Sequence, residues 1–156
     1  MFNTKADITD QWLNYLEQEA QNLADHNSAL GIENYMDNEV LNPQMQELLE
    51  SDDALDVEVL DNEMQEPLML NAVAVNLAIR WPKWLRFRKL KRKIRRVFCS
   101  IVHELEGLSW KDILKKLLVA LIPAFAGGGV PGAILPLVVA FVALAIKKGF
   151  SAVCPV

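Results

Sequence analysis

Apolar residues first recur at helical spacing near the start of the chain, where Trp12, Leu16, Ala20 and Leu23 form a stripe that Leu13 widens. Thr9 or Asp10 stands where an N-cap belongs, and the pattern predicts a helix ending near residues 26–28, well before Gly31. Asn42 and Pro43 supply a cap and a first-turn proline for a short helix carrying Met45, Leu48 and Leu49. Residues 50–66 are strongly acidic. Leu55, Val57 and Val59 alternate there with Asp56 and Glu58, but at this charge density a solvated linker is expected over a strand. Residues 68–79 are apolar and uncharged, too few to span a bilayer, and fit a buried helix or a strand.

A longer amphipathic pattern follows. Phe87, Leu90, Ile94, Val97, Phe98, Ile101 and Leu105 share one helical face, which predicts a helix over residues 83–106 stopped by Gly107. Ser109 and Asp112 then form a capping-box-like pair, with Leu108 placed to staple onto Ile113. Residues 117–146 carry no charge at all, and Lys115, Lys116, Lys147 and Lys148 flank them. Gly127, Gly128, Gly129, Val130, Pro131 and Gly132 interrupt this run near its middle. A turn at these glycines predicts two apolar legs, residues 113–126 and 130–146, kinked at Pro123 and Pro136. The expected fold is all-α in three parts: an acidic helical region (1–66), an apolar segment with a basic amphipathic helix (67–107) and a hydrophobic membrane hairpin (108–156). No internal repeat suggests a solenoid.

The apolar run sets the expected solvent. Residues 130–146 hold ten Val, Ile, Leu or Phe residues, which favour insertion by about 3 to 6 kcal/mol near a bilayer centre. Neither leg has a polar stripe, and a chain of this size is not expected to cover an element on all sides in water. As helices the legs would be about 21 and 25 Å long, a little short of a hydrocarbon core of about 30 Å. A hairpin keeps all four flanking lysines on one side, as the positive-inside bias prefers. The rival is a single span over about residues 127–147, which carries Lys147 and Lys148 to the far side. The hairpin is preferred.

Charge adds a second division. The net charge of −4 conceals about −16 on residues 1–79 and +12 on residues 80–156. Ten of the cations are Arg80, Lys83, Arg86, Arg88, Lys89, Lys91, Arg92, Lys93, Arg95 and Arg96, with no acid among them. Trp81, Trp84 and Phe87 accompany their start, and tryptophan among Lys and Arg marks an interfacial helix. These cations and Trp84 are the expected membrane-surface contacts, each cation contributing about 1 kcal/mol near an anionic leaflet. Nucleic-acid phosphates attract the same charges, but the adjacent apolar run favours lipid. A solvated positive-inside flank is the plainest alternative. The acidic half is expected to shield the basic helix until it is displaced or cut.

Chemical motifs are weak. Gly127, Gly129 and Gly132 match G-x-G-x-x-G, but an apolar helix precedes them and Pro131 lacks a donor, so a turn is the better reading. Gly128 and Gly132 also form a small-xxx-small pair. His103-Glu104 opens like a zinc-protease box, but position 107 is glycine. Cys99 and His103 lie four apart on one helical face, a pair read as incidental, and two cysteines are too few for a disulfide framework. No Walker loop, nucleophile elbow or carboxylate dyad is present, so neither an enzyme, a cofactor nor a metal is expected. No basic n-region with an apolar core opens the chain, so a membrane protein with a cytoplasmic N-terminal region is expected.

The leading expectation is a small membrane-permeabilising or pore-forming protein of the toxin, defence-effector or holin-like kind. Its composition resembles that of hydrophobic-hairpin toxins, without a motif that assigns a family. Its partners would be an anionic lipid membrane, further copies of itself in that membrane, and a protease or protein acting on the acidic region. The alternatives are a membrane-anchored adaptor with an acidic partner-binding region, and a soluble helical protein associated with nucleic acid.

Overall fold

The computed structural model describes residues 7–50, 83–125 and 130–154, leaving aside the side chains of Glu50, Lys83 and Trp84. The acidic stretch 51–66, the apolar run 68–79, Arg80, Trp81 and the glycines at 127–129 lie outside the described residues. Among the described residues there are seven α-helices and no strand, which establishes the all-α class.

Helix α1 (Asp10–His26) follows its sequence pattern. The Trp12 N–H donates to Thr9 Oγ1 at 3.2 Å, satisfying one free donor of the first turn. Leu13, Leu16, Ala20 and Ala24 are buried, with Trp12 and Leu23 half-buried beside them. Helix α1 ends at His26 as expected, but a second helix, α2 (Ala29–Asn38), which the pattern did not predict, follows directly. Ser28 restarts the helix at once, its hydroxyl accepting the Gly31 N–H at 3.0 Å, so the glycine sits in a capped first turn. Ile32 and Met36, one turn apart, face inward. Helix α3 (Pro43–Glu50) starts as anticipated, with Asn42 Oδ1 accepting the Gln44 N–H at 2.8 Å and Met45, Leu48 and Leu49 buried.

The basic helix α4 (Lys83–Ser100) is shorter than the expected 83–106. The Ser100 hydroxyl donates back to the Val97 carbonyl at 2.7 Å, the chain leaves helical geometry at Ile101 (φ −114°, ψ 7°), and a 3-10 turn (Val102–Glu104) follows. That turn carries Leu105 into the core, and Gly107, at φ +81°, allows the reversal into α5. Helix α5 (Trp110–Ala124) opens with the Asp112 N–H donating to Ser109 Oγ at 3.2 Å. Ile113, Leu114, Leu117, Leu118 and Leu121 are buried, while Asp112, Lys116 and Pro123 are exposed, so one side of this helix faces water.

The second leg begins as helix later than expected. Buried Pro131 and a 3-10 turn (Gly132–Ile134) lead into α6 (Leu135–Lys148), where every residue from 137 to 145 is buried. The expectation that a chain of this size leaves such a helix uncovered is overturned. Helix α6 packs chiefly against α1 and α2, whose apolar stripes cover it, and the buried alanines of α1 and α6 suit a close approach. The two legs make little contact with each other, whereas α1 packs against both. The apolar pair is therefore splayed around α1 and not zipped as a hairpin. Among the described residues no helix is long and apolar enough to cross a membrane.

Gly149 (φ +88°, ψ 170°) ends α6, and a last short helix α7 (Phe150–Val153) turns back across the end of α4. Phe150 lies 6.0 Å from the Phe98 ring and 5.9 Å from Trp110, centroid to centroid. Cys154 is thereby brought to Cys99 and joined to it as a disulfide, 55 positions apart in sequence. Cys99 therefore offers no thiolate to pair with His103, which sits exposed in the 3-10 turn; the bond itself was not anticipated from the two cysteines.

Candidate functional site

The basic helix is the natural place to start, because ten cations in one short stretch need either water or partners. They do not all face water, as an interfacial helix would have them. Arg86, Lys89 and Lys93 are only 6%, 5% and 6% exposed. Arg88, Arg95 and Arg96 are exposed, and Lys91 and Arg92 are half-buried. Lys83 and Trp84 lie in the first turn of α4. Lys93 Nζ stands 4.5 Å from the centroid of the Phe125 ring, and Lys91 Nζ 5.1 Å from that of Phe87, both within cation–π range. Burial, and then the neighbouring Arg92 and Arg88 charges, push the Lys89 ammonium below its ordinary pKa.

The acidic half reaches this helix directly. Lys91 Nζ pairs with Asp37 Oδ1 of α2 at 2.5 Å, and Lys111 of α5 approaches Asp10 of α1 at 3.6 Å. Between α2 and α4 runs a groove of about 340 Å³. Glu33, Met36 and Asp37 line it from α2, and Arg88, Lys91, Arg92 and Arg95 line it from α4. Phe141 of α6 also lines the groove, so the seam between opposite charges leads down to the buried apolar helix. On α2, the Tyr35 hydroxyl is held above its ordinary pKa by burial, then by the charge and hydrogen bond of Glu39 and the charge of Glu19.

The residues expected at the apolar pair fall as follows. Lys115 is half-buried and Lys116 exposed on α5. Lys147 and Lys148 are exposed in the last turn of α6, where cations complement the helix dipole. Pro123 occupies the last turn of α5. Pro136 stands in the first turn of α6, where its missing N–H leaves no hydrogen bond broken. Of the turn residues, Pro131 is buried and Gly132 exposed at the lead-in to α6. A second, open depression of about 470 Å³ beside α5 is lined by Glu104, Asp112, Lys115 and Lys116 with Ile101, Leu108, Val119 and Ala120. Among the described residues no group of three or more His, Cys, Asp or Glu side chains could hold a metal ion.

Three features of this arrangement lie beyond the sequence reading: the burial of three α4 cations, the partner of Lys91, and the disulfide. The charge division between the halves pointed to the second. Nothing local pointed to the others, since both depend on how the helices cross. No family model matches the chain, no curated protein matches it, and no solved structure matches its fold.

Proposed function

We propose that this is a membrane-permeabilising protein held in a closed form, in which the acidic helices α1 and α2 cover the apolar α6 and face the basic α4. The observation that carries the reading is the unbroken burial of residues 137–145, an uncharged helical segment, beneath helices whose outer faces carry Asp10, Glu19, Asp25, Glu33 and Asp37. Loss of that cover would expose a face rich in Leu, Val and Phe, and each such side chain removed from water contributes about 1.5 to 3 kcal/mol. The released cations of α4 would bind an anionic leaflet. With α1 no longer between them, α5 and α6 could close into a hairpin. At 15 and 14 residues, these helices are about 22 and 21 Å long, so as they stand they penetrate a bilayer without crossing it.

The target is an anionic lipid surface, copies of the open form assemble there, and a protease or binding partner removes the acidic helices. A disulfide persists in oxidising surroundings, which favours approach from such a compartment over the cytoplasmic placement expected from sequence. The test compares dye leakage from anionic liposomes for the full chain and for a chain lacking residues 1–79. Greater leakage from the shorter chain supports the cover. A shorter chain that is inert while the full chain leaks refutes it.

A second reading, a membrane-anchored adaptor, draws on Tyr15, Leu30 and Leu41, large apolar side chains exposed on the acidic half. Replacing Leu30 and Leu41 with lysine would abolish capture of a protein partner while leaving leakage unchanged, if that reading holds.

A further inference from the structure

The disulfide has a consequence for how the apolar helices enter a bilayer, given the membrane reading above. Cys99 lies at the end of α4, shortly before α5 begins at Trp110. Cys154 lies just beyond α6, which ends at Lys148. The bond therefore joins the two open ends of the α5–α6 pair, with all of both helices inside the covalent loop. Helices α1 to α3 lie outside that loop, so the acidic cover can leave while α4 stays tied to the apolar pair.

We propose that the Cys99–Cys154 bond is a topological constraint: an oxidised chain enters a bilayer only as a hairpin, with both ends on the side from which it came. Chain reach imposes this. If residues 127–147 crossed as a single span, Lys148 would stand on the far side while Cys99, on the surface-bound basic helix, stayed on the near side. Residues 149–154 stretch at most about 20 Å, less than a hydrocarbon core of about 30 Å, so Cys154 would fail to return to Cys99. The single span and the intact bond exclude each other. Reduction by a dithiol transfers two electrons and two protons to the bond, leaving two thiols on the chain and a disulfide on the reductant. Only then is the C-terminal end free to cross.

The test uses the full chain with a C-terminal peptide tag and a specific protease site placed within residues 51–79, so that the cover can be cut loose after folding. The cut protein is floated with vesicles containing anionic phosphatidylglycerol, and a second protease added outside removes every accessible tag. Complete loss of the tag from the oxidised protein, with a protected fraction appearing after dithiothreitol or in the Cys99→Ser/Cys154→Ser chain, supports the constraint. A protected tag on oxidised protein whose disulfide is intact overturns it. Equal, complete loss from oxidised and reduced protein also overturns it, since the bond would then fix nothing. Absence of any vesicle-bound fraction would refute the membrane reading and the constraint together, a result distinct from the other two.

Discussion

Lys91 of α4 and Asp37 of α2 form an ion pair across 54 positions of sequence, joining the basic helix to the acidic half at the mouth of a groove that reaches Phe141 of α6. Asp37 is largely exposed and Lys91 about a quarter exposed, so the pair contributes no more than about 0.2 to 1 kcal/mol to stability. Such a weak pair fits the proposed cover, which has to come away. Asp37→Lys should leave the fold intact, lower the unfolding midpoint slightly and increase leakage from anionic vesicles. Asp37→Lys combined with Lys91→Asp should return leakage toward the parent level, and raised salt should weaken the pair in the parent and the double variant alike. Leakage unchanged by Asp37→Lys would show that charge does not hold the cover.

Apolar packing contributes the larger share of closure. Leu13 is about 1% exposed on α1, the helix that touches both α5 and α6. Leu13→Ala should cost about 2 to 5 kcal/mol by denaturant titration, and should raise leakage well beyond the effect of Asp37→Lys. Tyr15, exposed on the opposite side of the same helix, serves as the control: Tyr15→Ala should stay within about 0.5 kcal/mol of the parent. Equal effects of the two substitutions would mean that α1 is not seated on α6 in solution.

Alkaline pH separates two groups of opposite sign. Lys89 titrates below its ordinary value of 10.5 when folded, because burial and the Arg92 and Arg88 charges oppose its proton. Between that lowered pKa and 10.5 the unfolded chain binds more protons than the folded one, so stability rises with pH there. Tyr35 titrates above its ordinary 10.0, so its contribution is complete below that value and falls as pH climbs through the raised pKa. Urea midpoints followed upward from about pH 8 should therefore rise and then turn down. Lys89→Met should remove the rise and Tyr35→Phe should soften the fall. A Lys89→Met chain that keeps the full rise would place its origin elsewhere.

These expectations rest on features that the sequence revealed unevenly. Caps at Thr9, Asn42 and Ser109, and the stripes of α1, α3 and α4, were readable because each depends on residues within a turn or two of one another. Helix α2 was hidden because Gly31 reads as a breaker unless Ser28 is recognised as a cap three residues before it. The environment of α6 was not readable. An uncharged helix looks the same whether lipid or other helices surround it, and only the crossing of α1 and α2 over it decides. The stripe of α1 was legible but not what it covers, and Ile32 and Met36 of α2, set among charged and amide residues, were not read as its continuation. Of the expected surface contacts on α4, Arg88, Arg95 and Arg96 remain open to water, while Arg86, Lys89 and Lys93 are buried where α4 packs within the bundle.

The reversal at Gly149 offers the most local test of the C-terminal arrangement. At φ +88° and ψ 170° it occupies a backbone region that is essentially restricted to glycine, although an added Cβ would meet nothing within 4 Å. The cost of Gly149→Ala is thus conformational and not steric, about 1 to 3 kcal/mol. Asparagine should not rescue it, because the left-handed region that asparagine tolerates lies near ψ +47°. The reversal also sets Phe150 against Phe98 and Trp110 and carries Cys154 to Cys99. Gly149→Ala should therefore slow re-formation of the disulfide after reduction, as followed by thiol alkylation, while leaving the helix content unchanged. Gly107→Ala, at the other positive-φ glycine and equally uncrowded, should lower stability with little effect on disulfide closure. If both substitutions slowed closure alike, the turn after α6 would not be what brings the cysteines together.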